Sequence, residues 1–526
     1  MENVYKKYDN ISNFVEDRNI LDNIINETFK DNSLTHLDSI IEKSEVIKVD
    51  SSECEVIGEE EYKKNILKNY NMLFHSFIEW SIRDQRTIST DLIDLIDEWI
   101  ETIDEMLSIQ LSEILHNKEF KELESSYRGL YYLVTNTKDH PLLKIKVLSV
   151  SKSEIYKDMK DAKNVHDASQ LYKKIYSFGI GSLDEEPYGA IIGDYEFSKS
   201  SYDISLLKFI SGISSVSYAP FISGASPELL GWKDFTVIND PTSLANIFQS
   251  CVYDDWNKFR KTEDSRYVSL VLPHLLMRRP YGAGDFNEKV EDFNFNEFNS
   301  EENIEELHSK FLWGNAAYAL GVNITSSFFN TGWFLQMIGM KNGGDLKNTI
   351  NYKYESEDGL IPIYSSECRI PENRGKEFSH LGLIPILNRS TSGATFLSLQ
   401  TLNFPKNYTD PKARESAILS SWLHRILCVS RFCIYLKWLL RGKIGGFASE
   451  SRINNELNTW ISQYVLMNAD EADEEDLSKY PLSNKFLSVK KVRGKPGVYD
   501  IILKLQFHDQ LQEVSVSVRM VPQDYS

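Results

Sequence analysis

Residues Arg260 to Gly282, RKTEDSRYVSLVLPHLLMRRPYG, collect side chains from which an active site can be assembled. Glu263 and Asp264 form an acidic pair, with His274 and four arginines close by in sequence. Arg266, Arg278 and Arg279 could clamp an anionic substrate through paired hydrogen bonds. Upstream, Asp194 and Glu196 in GDYEF (Gly193 to Phe197) follow a strand-like run, the place where α/β enzymes put catalytic carboxylates. The structural alternative uses the same residues. Asp194 then caps the next element, and Glu196 pairs with an arginine such as Arg260 or Arg266. Arg260, Arg266, Glu263 and Asp264 form buried or interfacial ion pairs, while Pro273, Pro280 and Gly282 fix the loop.

Catalysis needs convergence, and the spacings that would supply it are missing. No G-x-x-x-x-G-K-[ST] occurs, because Gly442-Lys443 is followed by Ile444 and Gly494-Lys495 by Pro496. GIGSLD, from Gly179, lacks the third glycine of a dinucleotide turn, and there is no G-x-S-x-G, H-E-x-x-H or calcium-loop pattern. The ten histidines are dispersed. The five cysteines (Cys54, Cys251, Cys368, Cys428, Cys433) are odd in number and form no C-x-x-C pair. Without a nucleophile or metal ligand set beside the carboxylates, the structural reading of both stretches is favoured, with no metal and no cofactor expected.

The elements that must hold these residues alternate in type. LKIKVLSV (Leu143 to Val150) reads as a strand, Lys152 to Tyr176 as a helix, YGAIIGDY as a strand and Asp203 to Ser217 as a helix. APFIS then reads as a strand, Pro241 to Phe259 as a helix and RYVSLVL as a strand. Such alternation implies crossover units, hence an α/β (mixed α+β) fold with a central, mostly parallel sheet and flanking helices. Further helices are expected around Phe311 to Phe329, Ala413 to Leu440 and Ile453 to Met467, with ATFLSLQTL strand-like between them. Ahead of the sheet region, Ile93, Ile96, Ile100, Ile103, Leu107, Leu111 and Ile114 recur every three or four residues, the stripe of a long amphipathic helix. The leader carries two short copies of such a stripe, LDNIINE (Leu21 to Glu27) and LDSIIEK (Leu37 to Lys43), which either pack on their own chain or seek a groove elsewhere. Near the C-terminus, DEADEED (Asp470 to Asp476) reads as a solvated linker, and Val498 to Phe507 with Leu511 to Val521 reads as an antiparallel hairpin. A lone hairpin is marginal in water, so its edges need partners.

The bulk properties narrow the function classes. At 526 residues the chain can bury several cores, and 58 basic against 77 acidic residues leave a net charge of −19, which opposes nucleic acid and anionic membrane surfaces. The first thirty residues contain no apolar core of a signal peptide. The most apolar long stretch, Ala413 to Leu440, is interrupted by Arg414, Glu415, Arg425, Arg431 and Lys437, so it reads as a buried helix and not a membrane span.

Several blocks, in order and spacing, carry a family resemblance. They include LIDEWIETIDEMLSIQLSEILHNKEFKELESSYRGLYYLV, IGDYEF, APF, WNKFRKTEDSRYVSLVLPHLLMRRPYG, WGNAAYA, FPKNYTD, RFCIYLKWLLRGKIG and LNTWISQYV. From about Leu92 to the C-terminus the sequence resembles the large subunit of the bacterial type VI secretion contractile sheath, the TssC/VipB type, and within it the IglB branch. Tyr218 stands where His precedes APF in that pattern, and His274 where Arg follows the proline.

The resemblance implies a structural, non-enzymatic subunit in the cytoplasm. It implies pairing with a small sheath subunit (TssB/VipA/IglA type), stacking with copies of the pair around inner tube hexamers, attachment to a baseplate, and recycling by an AAA+ unfoldase. It implies five regions: a helical leader (1–75), long helices in contact with the small subunit (76–140), an α/β sheath body (141–469), an acidic linker (470–484) and a C-terminal hairpin arm (485–526). In the arm, Val498, Tyr499, Ile501, Leu503, Leu505, Val514, Val516 and Val518 would build an intermolecular sheet. Leu37, Ile40, Ile41 and Val46 would be the unfoldase anchors, while Glu196, Arg260, Glu263, Asp264 and Arg266 would be structural ion pairs. Two rival readings are the sheath of another contractile, phage-tail-like particle and a soluble hydrolase built around Glu196, Asp264 and Arg266.

Overall fold

The computed structural model describes residues 92–177, 186–239, 243–282, 295–297, 304–339, 343–356, 359–390, 393–406, 408–441, 450–466, 472–491, 499–508 and 514–520. In chain order the principal helices are α1 (Leu92–His116), α2 (Lys118–Asn136), α3 (Lys152–Asp161), α4 (Ser201–Ser217), α5 (Leu244–Phe248), α6 (Asp254–Arg260) and α7 (Ile304–Lys310). They continue with α8 (Ala317–Thr331), α9 (Glu372–His380), α10 (Pro411–Ser420), α11 (Leu423–Arg441), α12 (Glu450–Ser462) and α13 (Glu474–Lys479). The strands are β1 (Ile191–Phe197), β2 (Phe221–Ala225), β3 (Val268–Leu272), β4 (Leu275–Leu276), β5 (Trp313–Gly314) and β6 (Tyr352–Ser356). After them come β7 (Gly359–Ile363), β8 (Leu383–Ser390), β9 (Gly393–Phe396), β10 (Leu482–Lys491), β11 (Tyr499–Phe507) and β12 (Val514–Met520).

The chain divides into two compact units, residues 1–122 with 280–310, and residues 123–279 with 311–526. In the first, Glu297 takes a 3.2 Å contact from the His116 ring and a 3.0 Å hydrogen bond from the Tyr281 amide, and the buried Phe295 ring lies 6.3 Å from that of Tyr281.

The second unit is organised by a five-stranded sheet in the order β1-β2-β3-β8-β9, in which β1, β2, β3 and β8 run parallel and β9 returns antiparallel. Buried on both faces, its central strands read as unbroken apolar runs. Ile222, Val271, Ile384 and Ile386 face one core cluster, whereas Phe221, Leu270, Leu272 and Leu383 face the other, the period of two expected of a strand. Buried residues of α4, α6 and α9 fill the second cluster; those of α8, α11, α12, β10 and β11 fill the first. α8 lies close to β1 because Gly321 has no side chain: a Cβ there would stand 2.5 Å from Ile192 Cδ1. It ends on Gly332 at φ +74°, the left-handed cap that glycine adopts without strain.

Five expected elements come out differently. The helix expected over Lys152 to Tyr176 stops at Asp161, where Lys163 and Asn164 take positive φ, and the chain resumes only as short helical turns from His166. Leu143 to Val150 pairs with no strand among the described residues. The helix expected over Pro241 to Phe259 is broken into α5 and α6, because Phe248 and Tyr253 are both buried yet five residues apart, out of step with a single helical stripe. The long apolar helix of Ala413 to Leu440 splits at Ser421, whose carbonyl accepts from the Thr401 amide at 3.2 Å and the Thr401 hydroxyl at 2.7 Å, while Leu423 N–H donates to Leu399 O at 2.7 Å. The stretch after DEADEED is structured: α13 starts inside the acidic run, and β10 begins at Leu482, so the C-terminal hairpin is a three-stranded sheet. Among the described residues no helix is long and apolar enough to cross a membrane.

Candidate assembly site and the ion-pair cluster beside the sheet

The C-terminal sheet has the antiparallel order β10-β11-β12, with Leu503 opposite Leu487 on one side and Val516 on the other. β11 reads YDIILKLQF, and its alternate residues Ile501, Leu503, Leu505 and Phe507 are at most 1% exposed. With Leu482, Leu487 and Val489 of β10 they share a core with Ile453, Leu457 and Ile461 of α12 and with Phe432 of α11. These side chains therefore bind the sheet to its own body. The outer edge of β12 pairs with no strand among the described residues, and that of β10 makes only a short parallel bridge, Leu482 to Val465. Open edges of this kind present unpaired N–H and C=O groups to any extended chain. Tyr499 is half-buried; Val514, Val516 and Val518 lie on β12, and Val498 lies outside the described residues, as do Leu37, Ile40, Ile41 and Val46.

At the C-terminal end of β1, Glu196 meets His274, just after β3. His274 Nε2 lies 2.7 Å from Glu196 Oε1 and its Nδ1 lies 2.5 Å from Glu367 Oε2. The His274 carbonyl also accepts the Glu367 amide at 2.9 Å, so main chain and side chain fasten the same two loops together. Burial disfavours the imidazolium, but hydrogen bonds and charge from Glu196 and then Glu367 outweigh it and raise its pKa to about 10. Burial works against ionisation of Glu196 too, yet the His274 hydrogen bond and charge, with Lys152, bring its carboxyl below the usual range. Lys152 Nζ in turn donates to the Glu196 carbonyl and, at 2.7 Å, to Asp203 Oδ1. An imidazolium with both N–H groups engaged has no lone pair with which to take a proton, so at neutral pH this histidine braces instead of acting as a base.

Neighbouring residues differ from the pairing expected of them. Arg260 is buried and touches no carboxylate among the described residues. Its Nε donates to Leu402 O at 2.9 Å and its Nη2 to His380 O at 3.4 Å, at the C-terminus of α9, where a cation suits the helix dipole. Burial lowers its pKa to about 10. Arg266 does reach Glu263, at 3.4 Å, and Lys406 reaches the other Glu263 oxygen at 3.2 Å, both on the surface. Asp264 is exposed and makes no ion pair among the described residues. Asp194 does not cap the next helix, a task done by Ser200, whose side chain accepts the Asp203 amide. Burial raises the Asp194 carboxyl pKa, opposed by hydrogen bonds from Ser126, Tyr318 and Asn315. Arg278 is buried against Glu124 at 2.8 Å, a carboxylate also held by Arg128 at 2.7 Å. The partners Glu367 and Glu124 lie 93 and 154 residues away in sequence from His274 and Arg278, and no local pattern announces them.

Residues 97–403 match the family model described as the EvpB/VC_A0108 tail sheath N-terminal domain, and residues 412–523 the EvpB/VC_A0108 tail sheath gpW/gp25-like domain. The class is thus that of tail-sheath proteins, structural subunits of contractile assemblies. More narrowly, the chain belongs to the VipB family, the large sheath subunits of type VI secretion systems. It is 36% identical over 446 residues to the type VI secretion system sheath protein TssC1 of Pseudomonas aeruginosa, a match covering 84% of this chain and 88% of that protein. Among solved structures, the anti-feeding prophage baseplate matches at 9% identity, covering 61% of this chain and 66% of that chain with a TM-score of 0.29. A sheath tail protein from Desulfitobacterium hafniense matches at 11% identity, covering 60% and 59% with a TM-score of 0.25. Scores this low do not bear on the fold. The boundary between the two family domains falls just beyond the segment Leu402–Phe404, which α6 and its following turn clamp: Phe404 N–H donates to Arg260 O at 2.8 Å and Asn403 Nδ2 to Thr262 O at 2.9 Å.

Proposed function

We propose that this chain pairs with a small sheath subunit, polymerises with copies of that pair around an inner tube on a baseplate, and contracts to drive the tube outward, without catalysing a reaction. The carrying observation is the C-terminal sheet: welded to the body through β11, yet open along both edges except for one bridge among the described residues. Strands of neighbouring subunits added to those edges would stitch protomers by main-chain hydrogen bonds, which depend little on side-chain identity and can survive a change of subunit orientation. Contraction needs two packings of one rigid body separated by a barrier, and a body whose two family domains share one core supplies the rigid part. On α1, Ile100, Ile103 and Leu107 are exposed along one apolar stripe, a face suited to a helical partner. Val498, Tyr499, Ile501, Leu503, Leu505, Val514, Val516 and Val518 are proposed as the residues of the stitching arm, and the leader segment of Leu37, Ile40, Ile41 and Val46 as the handle for an AAA+ unfoldase in the cytoplasm.

Electron microscopy of the chain co-expressed with its small subunit tests this reading, with hollow cylinders expected. Removing Val514 to Ser526 deletes β12 but spares the buried face of β11; the heterodimer is expected to survive and long cylinders to vanish. Cylinders of normal length from the truncated chain would refute strand stitching at this edge.

A further inference from the structure

The segment Leu143 to Val150 has the composition of a strand, LKIKVLSV, but pairs with no strand among the described residues. From Lys144 to Ser149 its amides and carbonyls make no hydrogen bond among the described residues. Its apolar side chains are left in solvent: Val147 is 69% exposed, and Ile145 and Leu148 are exposed as well. β-branched residues alternating with lysines in this way fit a pleated, half-buried surface and gain nothing from exposure.

The segment is nevertheless held in place. Lys144 Nζ lies 2.6 Å from Glu186 Oε1, Lys146 Nζ sits over the Tyr188 ring at 5.5 Å, Val150 O accepts the Tyr195 hydroxyl at 2.5 Å, and Lys152 donates to the Glu196 carbonyl. The contacts at 144, 146, 150 and 152 fall on 186, 188, 195 and 196 in the same order, so the segment runs parallel to β1 and the residues leading into it. β1 is itself the outer strand of the five-stranded sheet. Side chains thus fix a strand-type segment beside a sheet edge while its main chain stays unbonded.

We propose that Leu143 to Val150 is a docking strip for an extended strand of the small sheath subunit, which pairs with it through main-chain hydrogen bonds; this rests on the pairing proposed above. The chemistry of the strip describes its occupant. Exposed Ile145 and Val147, two residues apart on one face, call for apolar side chains opposite them, and Lys146, which makes no ion pair among the described residues, calls for a carboxylate on the other face, as in cross-strand pairs of opposite charge. Prearrangement by the four side-chain contacts lowers the ordering cost of adding that strand.

Proline substitution separates docking from folding, because the Ile145 and Val147 amides donate no hydrogen bond among the described residues. Ile145→Pro and Val147→Pro are expected to leave circular dichroism and the thermal midpoint unchanged and to weaken the small subunit's affinity by roughly tenfold or more, the loss of one or two ladder hydrogen bonds. Val147→Thr, which keeps the N–H and the strand propensity, is expected to bind as wild type. Amide exchange across 143–150 should be fast in the chain alone and slow in the complex. Unchanged binding of both proline variants to a small subunit that the wild-type chain does bind overturns the strip alone; no binding by the wild-type chain overturns the pairing itself. Protection in the chain alone, independent of concentration, would show the strip occupied by its own chain, and protection that rises with its own concentration would show a second copy; either overturns the proposal.

Discussion

His274→Gln isolates the charge of the Glu196–His274–Glu367 brace while keeping a hydrogen-bonding side chain of similar length. Raising the imidazolium pKa from 6.5 to about 10 on folding corresponds to roughly 5 kcal/mol at most. Glu196 is 44% exposed and its link is screened by solvent, whereas Glu367 is only 5% exposed, so about 3 kcal/mol is the expected loss near pH 6. The sign follows from the direction of the shift. A base whose folded pKa lies above its unfolded value stabilises fully below the unfolded pKa, here 6.5, and the contribution is lost as pH rises through about 10. Denaturant unfolding of the heterodimer, followed by tryptophan fluorescence for wild type and variant at pH 6 and pH 10.5, reads the difference, and the small subunit's own contribution cancels in the comparison. The gap should shrink from about 3 kcal/mol to below about 1. His274→Arg keeps a cation with donors for both carboxylates and should stay within about 1 kcal/mol of wild type at either pH. A gap that does not change with pH, or an arginine variant as weak as the glutamine one, would refute the imidazolium brace.

Two further outcomes follow from burial. Arg260→Met keeps the apolar stem but strips the donor from Leu402 O and His380 O, and should lower unfolding stability by about 2 to 3 kcal/mol; a loss under about 0.5 kcal/mol would mean those carbonyls find other donors. Cys428 and Cys433 are fully buried, with thiols pushed up to about 12, whereas Cys251 is exposed; brief maleimide treatment at pH 8 with peptide mapping should label Cys251 and spare the other two until denaturant is added.

The sequence alone determined the class of fold and the family. The strands at YGAIIGDY, APFIS and RYVSLVL stand where their apolar runs put them, because a parallel strand buried on both faces must be apolar throughout, and that demand is written locally. The helices α1 and α8 are equally legible from their spacing. Local pattern failed where a distant contact outvoted it. Ser421 interrupts a good helix because residues 399–401 pair with its main chain, and the acidic run becomes partly helical as it leads into β10. The residues around Arg260 to Gly282 advertised their ion pairs by type but not by partner. Glu196 reaches His274 across 78 residues only after β1 and β3 are aligned in one sheet, and Glu367 reaches it across 93, so that only the tertiary structure could give both carboxylates to His274 and leave Arg260 to carbonyls. The strand pattern at Leu143 to Val150 marks the same division. Sequence specified a strand, and only the fold showed that the described residues provide no partner strand for it.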